Sequence, residues 1–172
     1  MPAPAAETEP LIRLLAPDDD LVALTGMLHR AYAPLAARGL RYTATHQSPE
    51  VTARRAASGV CFVAELSGRL IGTITAIPAD PACPAPAYRE PGIFHFGQYA
   101  VAPEHKGRGL GRRLHDIALR LARERGGHAM LLDTAAPAAD LIAMYSRWGY
   151  IEIGRHRWET TNYESVIMRR AL

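Results

Sequence analysis

The chain has 172 residues, with 20 Lys and Arg against 17 Asp and Glu, a net charge of +3, 7% aromatic residues and two cysteines. That length suits one domain with a sizeable core, the small charge and sparse aromatics argue against a broad nucleic-acid face, and two cysteines exclude a disulfide framework. No stretch is long and apolar enough to span a membrane and residues 1–10 lack the pattern of a secretory signal, so the sequence predicts a cytoplasmic protein with Cys61 and Cys83 reduced.

Residues 1–10 are rich in Ala, Pro and Glu and read as a flexible tail, leaving residues 11–172 as the single domain. Residues 11–15 read as a first strand. Pro17-Asp18-Asp19-Asp20 supplies an N-cap and an acidic first turn for a helix with Leu21, Leu24, Leu28, Ala31 and Leu35 on one face, ending near Gly39. Ser48-Pro49-Glu50 opens a second helix, which stops near Gly59. Residues 60–66 and 70–77 are strands joined through Ser67-Gly68-Arg69, a hairpin signal. A Pro- and Ala-rich loop over residues 78–92 carries Tyr88 and Glu90.

A central strand follows at residues 93–101, then a glycine-rich loop and a basic helix in which Leu110, Leu114, Ile117, Ala118 and Leu121 share a face. Residues 128–133 are a strand. Pro137 and Asp140 open a helix bearing Leu141, Met144, Tyr145 and Trp148, with Gly149 as its stop. Residues 150–153 and 163–168 are closing strands. Antiparallel hairpins leading into a βαβ unit imply an α/β (α+β mixed) fold, with one mixed sheet and helices on both faces.

The strand-to-helix connection Lys106-Gly107-Arg108-Gly109-Leu110-Gly111-Arg112 carries the chemistry. Alternate glycines let the backbone turn tightly and approach a ligand. The helix behind them points unpaired N–H groups and a partial positive charge back at the loop. Three readings are open: a plain tight connection, a fragment of a GxGxxG dinucleotide site with Asp133 as the ribose acid, and a pyrophosphate cradle. Arg112 occupies the third glycine position of the dinucleotide pattern, and no GxxxxGK followed by Ser or Thr occurs.

With Val101 and Pro103 ahead of it, this loop resembles the acetyl-CoA loop of the GNAT N-acetyltransferase superfamily, Arg/Gln-x-x-Gly-x-Gly/Ala. Ala143-Met-Tyr145-Ser-Arg-Trp-Gly149-Tyr150 resembles that family's Ala-x-Tyr-x-x-x-Gly-Phe/Tyr segment. The resemblance covers nearly the whole chain. It implies a GNAT fold: a mostly antiparallel sheet of six or seven strands flanked by about four helices. It also implies acyl transfer from acetyl-CoA to a primary amine of a small molecule or protein, with no metal. Tyr99, Ala100 and Val101 are expected along the pantetheine arm, and Lys106, Gly107, Arg108, Gly109, Leu110, Gly111 and Arg112 around the pyrophosphate. Gly97 is the expected bulge, beside a backbone N–H that polarises the thioester carbonyl.

Tyr145 corresponds to the family's general acid. For the general base, His95, Glu90 and Asp133 are candidates, with His95 preferred. Tyr32, Tyr42, His46, Trp158 and Tyr163 are expected near the acceptor. The sequence departs from the family pattern in carrying Lys106 at the first loop position. It also lacks an Asn ahead of Tyr145, where Asp140 is the available substitute. A small-molecule or peptide amine is the expected partner, and homodimers are common in the family. A CoA-binding module without activity and a nucleic-acid binder using the basic helix are the competing classes.

Overall fold

Period-two and helical apolar patterns give seven strands and four helices in the computed structural model, which describes residues 9–172. The tail prediction therefore falls mostly outside the described residues. Its last two, Glu9 and Pro10, touch Arg113 through a 3.0 Å ion pair and a carbonyl hydrogen bond.

The elements are β1 (Leu11–Leu14), α1 (Leu21–Ala37), α2 (Pro49–Ala57), β2 (Val60–Leu66), β3 (Arg69–Pro78), β4 (Ile93–Val101), α3 (Leu110–Glu124), β5 (Ala129–Ala135), α4 (Ala139–Arg147), β6 (Ile151–Arg157) and β7 (Glu164–Ala171). Short 3-10 turns lie at Thr43–Thr45, Pro86–Arg89 and Pro103–His105. Asp20 caps α1 by accepting from the Ala23 N–H at 2.9 Å, as Ser48 caps α2 from the Val51 N–H. Asp19 does not enter the first turn of α1; it pairs with Arg13 at 2.7 Å. Ser67 and Gly68, with φ of 50° and 75°, form the two-residue turn between β2 and β3, so Arg69 begins β3.

One sheet runs β1-β2-β3-β4-β5-β7-β6. Every neighbouring pair is antiparallel except β4–β5, which α3 connects as a parallel crossover. One face is met by α2, whose Arg55 lies over Gly97, and the other by α3, where Leu114 packs over Gly72 and His115 meets Phe96.

Two irregularities position everything that follows. First, β4 pairs with β5 only from Ile93 to His95, opposite Ala129 to Leu131, whereas β5 stays paired to β7 through Ala135. From Phe96 onward β4 has a bare edge facing β5, and a gap opens there. Second, the β3–β4 register shifts between Thr73 and Thr75, opposite Gly97 and Ala100, so β4 contains an extra residue. The left-handed residue is Gln98, with φ of 48°, not the expected Gly97. The insertion resets side-chain alternation: Tyr99 and Val101 join Phe96 on the α3 face, where Tyr99 and Val101 approach Gly111.

A glutamine is costly in that backbone conformation, and its side chain supplies the compensation. The buried Gln98 amide accepts from Gln47 Nε2 at 2.6 Å and donates to the Thr52 carbonyl at 3.2 Å. Gln47 also bonds Thr52 Oγ1, and Thr52 bonds Thr25. The bulge is thus pinned to α1 and α2 by a buried polar network, with each partner fixing the next. Gln98→Met keeps the bulk but removes both bonds and leaves buried polar atoms short of partners. We expect a loss of about 1–3 kcal/mol, read as a lower urea midpoint with an unchanged m-value.

Candidate active site

The gap between β4 and β5 widens into a cavity of about 720 Å³ that runs from the glycine-rich loop to the β6–β7 connection. At the loop end it is lined by Tyr99, Ala100, Val101, Lys106, Gly107, Gly109, Gly111 and Arg112. Gly107 and Gly109 have φ of 75° and 80°, and a Cβ on either would meet nothing within 4 Å. Their need for glycine is therefore conformational, and the space above them is open. Gly109 is the N-cap of α3 and offers no side-chain acceptor, so the first-turn amides have no intrahelical partner and face that space. Gly111 is small for a different reason: its Cβ would lie 2.8 Å from the Tyr99 hydroxyl.

The charges at this end are held. Arg112 pairs with Asp116 at 3.1 Å and stacks on Trp148, and Lys106 donates to the Ala31 carbonyl at 3.3 Å. Leu110 turns into the core, and Arg108 does not line the cavity. A helix N-terminus without its own acid, two lysine and arginine side chains and open left-handed glycines fit a pyrophosphate. The bare edge of β4 fits an extended arm that pairs with backbone.

Two tyrosines tend the bare strand edges deeper in. Tyr32 donates to the Tyr99 carbonyl at 2.9 Å, and the Tyr42 hydroxyl accepts from the Ala135 N–H at 3.0 Å while bonding Thr134. Tyr163 stacks against Tyr42 at 4.8 Å. Arg55, Asp133, Trp158 and Thr161 complete the far end. His46 does not line the cavity and bonds Thr45.

Tyr145 reaches the cavity from α4, packed against Phe96, Trp148 and Tyr150. Its hydroxyl has no hydrogen-bond partner among the described residues. Burial, reinforced by neighbouring tyrosines, pushes its pKa well above 10, so the phenol stays protonated.

The three base candidates separate. His95 is half-buried against Tyr88, with ring centroids 4.8 Å apart, and lies off the cavity wall; burial pushes its pKa down to about 4. Glu90 is exposed and pairs with Arg169 at 2.8 Å and His128 at 3.4 Å, also off the wall. Asp133, ranked below His95 on sequence, is the one that faces the cavity. Its carboxylate accepts from the Tyr88 hydroxyl at 3.1 Å and the Trp158 indole N–H at 2.9 Å. Asp140 does not substitute for the missing Asn, because it is turned outward onto Arg38 at 3.0 Å. Sequence reasoning missed Gln47, Gln98 and Arg55. All three sit in ordinary helix, turn or strand contexts, and only the fold brings them together.

Comparison with known proteins settles the family. Residues 27–150 match the Acetyltransferase (GNAT) family. The chain belongs to that family. It is 30% identical to S-(2-succino)cysteine N-acetyltransferase of Bacillus subtilis (strain 168) over 142 residues, 81% of this chain and 84% of that one. Its GNAT fold is also that of the ribosomal-protein-S18-alanine N-acetyltransferase from Escherichia coli, with a TM-score of 0.70, 20% identity and coverage of 95% and 94% of the two chains. A GNAT family acetyltransferase from Elizabethkingia anophelis with acetyl-CoA bound matches with a TM-score of 0.67, 13% identity and coverage of 96% and 99%. The seven-stranded, mostly antiparallel sheet with four helices is the architecture the motifs implied. Among the described residues of this GNAT chain, no helix is long and apolar enough to cross a membrane, and no three His, Cys, Asp or Glu side chains group to hold a metal.

Two measurements probe the site without substrate. Gly109→Ala should cost about 1–2 kcal/mol from left-handed strain alone, seen by urea unfolding. The second concerns His95 and the fully buried His115, whose pKa burial also pushes down to about 4. In the unfolded chain both return to about 6.5. Between pH 6.5 and about 4 the unfolded state binds more protons, so stability falls as pH falls, by up to about 1.4 kcal/mol per pH unit per histidine. Urea titrations at pH 7, 5.5 and 4.5 should show this decline, with a shallower slope in His95→Phe.

Proposed function

We propose that this cavity is an acetyl-CoA-dependent N-acetyltransferase site acting on a small amine. One observation carries the reading: a single split in the sheet joins the open glycine loop at the α3 N-terminus to an unpartnered, protonated tyrosine. The relative named for S-(2-succino)cysteine supports a small-molecule acceptor over a protein.

Acetyl-CoA supplies the activated acyl group and a thiol leaving group. The first-turn amides of α3, with Lys106 and Arg112, hold its pyrophosphate, and β4 from Tyr99 to Val101 lines its arm. A backbone N–H at the Gln98 bulge donates to the thioester carbonyl oxygen as charge develops there. Asp133 anchors the incoming ammonium and takes the proton that must leave before the nitrogen can attack. The C–N bond forms as the C–S bond breaks, Tyr145 gives its phenolic proton to the departing sulfur, and the nitrogen, still carrying one proton too many for an amide, loses it to solvent. Solvent then reprotonates Tyr145 and receives the proton from Asp133. The products are an amide and free thiol, with one net proton released.

Purified protein should show a thermal shift with CoA and release thiol from acetyl-CoA when given amino acids, amino-acid thioethers, polyamines or peptides. Binding without thiol release against the whole panel would instead mark a CoA-binding module. Tyr145→Phe removes no hydrogen bond to the protein, so its stability should stay within about 0.5 kcal/mol of the parent. Its kcat should drop by about 10²-fold or more with the CoA shift unchanged. An unchanged kcat would remove Tyr145 from the chemistry.

A further inference from the structure

Arg55 is a cavity cation that the reaction above does not use. It projects from α2 and is held by one hydrogen bond, from Nη1 to Gln47 Oε1 at 2.6 Å. Its Nη2 lies over the β4 bulge, 3.6 Å from where a Cβ on Gly97 would stand. Among the described residues no carboxylate comes within ion-pair distance of it. Asp133 acts on it only through space, as do Tyr32 and Tyr163, and burial pushes its pKa down.

This is an unusual arrangement for an arginine. A guanidinium withdrawn from water normally gains an acidic partner, since an unpaired buried charge is costly. A guanidinium also carries five donors in a planar fork suited to a carboxylate. Here Gln47 engages one arm of the fork. Gln47 is itself tied to Gln98 and Thr52, so the guanidinium is fixed in place before any ligand arrives. The remaining donors lie along the wall shared with Gly97, Tyr32 and Tyr163, at the end of the cavity away from the glycine loop. The cations at the loop end already have partners in Asp116 and the Ala31 carbonyl.

We infer that Arg55 is the recognition site for a carboxylate on the acceptor, so that the acceptor class is amino acids and related amino-carboxylates rather than simple amines. The inference rests on the acyl-transfer reading of this cavity. The acceptor's carboxylate pairs with the Arg55 fork beside the bulge, and its amine turns toward the thioester and Asp133. The aromatic rings of Tyr32, Tyr42 and Tyr163 enclose the carbon skeleton between them.

The test uses matched sets: L-phenylalanine, L-methionine and S-benzyl-L-cysteine, each with its carboxamide and its decarboxylated amine. Thiol release from acetyl-CoA is followed for the wild type, Arg55→Gln and Arg55→Lys, with a CoA thermal shift to check that each is folded and binds cofactor. In the wild type the free acid should exceed its neutral partners by 30-fold or more in kcat/KM, mainly through KM. Arg55→Gln should collapse that ratio to within about threefold, and Arg55→Lys should restore part of it. A residue that only braces the bulge would lower acids and amides alike and leave the ratio intact; that result overturns the inference. So does a wild-type ratio near one, or acetylation of neutral amines with the free acids inert, either of which leaves the N-acetyltransferase reading standing. A protein that neither shifts with CoA nor releases thiol overturns both.

Discussion

The structure depends on the failure of β4 and β5 to stay together. Parallel neighbours in a closed sheet satisfy each other's backbone groups along their whole length. Here they do so for three residues each and then part. The cost is a row of bare N–H and C=O groups inside the molecule, and such groups need partners. Tyr32 takes one on β4 and Tyr42 one on β5. What is left along β4 is a strand edge awaiting an extended ligand. The substrate site proposed for this GNAT chain is therefore an absence in the sheet, held open by side chains from α1 and the segment after it.

The bulge at Gln98 sharpens that arrangement. It places Tyr99 and Val101 on the α3 side, against Gly111, and so couples the strand to the start of the helix. The network that stabilises its strained backbone is also the one that fixes Arg55. A single set of bonds, running from Thr25 through Thr52, Gln47 and Gln98, thus sets the geometry at both ends of the cavity. Changes in α1 or α2 should be felt at the thioester position even though neither helix supplies a group to the acyl transfer itself.

Much of this was legible in the chain, and the reasons differ by element. The glycine loop, the basic helix and the Tyr145 segment follow local rules of backbone freedom and spacing, so they read directly from sequence. The mostly antiparallel sheet of six or seven strands and the pairing of loop with tyrosine came from two motifs in their family order, whereas the strand order came only from the structure. At the acceptor end only the aromatic residues Tyr32, Tyr42, Trp158 and Tyr163 were legible; the bulge and the charged groups were not. Gly97 looks like the natural bulge residue, yet the left-handed position went to Gln98. The deciding factor was a buried amide network made with residues 46 to 51 positions away. His95 looked like the base because it sits on the central strand just before the expected bulge; it instead faces Tyr88, away from the cavity, while Asp133 one strand over faces in. Arg55 carried no local signal at all, since an arginine near the C-terminal end of a helix is ordinary. Each miss concerns which way a side chain points after strands diverge, and that is a property of tertiary geometry.

Burial then decides which of these groups can do proton chemistry. A low-dielectric cavity favours whichever form of a group is neutral. Burial keeps the phenols of Tyr32, Tyr145 and Tyr163 in the cavity protonated and, outside it, the imidazoles of His95 and His115 neutral. A phenol that cannot ionise on its own still carries a proton to share with the sulfur as negative charge gathers on it. An imidazole pushed down to about 4 is by the same logic a poor acceptor of a proton from an ammonium. The carboxylate of Asp133 is different because two donors, Tyr88 and Trp158, orient it and offset part of its lost hydration. In the proposed reaction, the tyrosine that burial keeps protonated is therefore the acid, and the aspartate that faces the cavity, not the histidine, is the base. Arg55 remains as the charge in the cavity whose partner an incoming acceptor must bring.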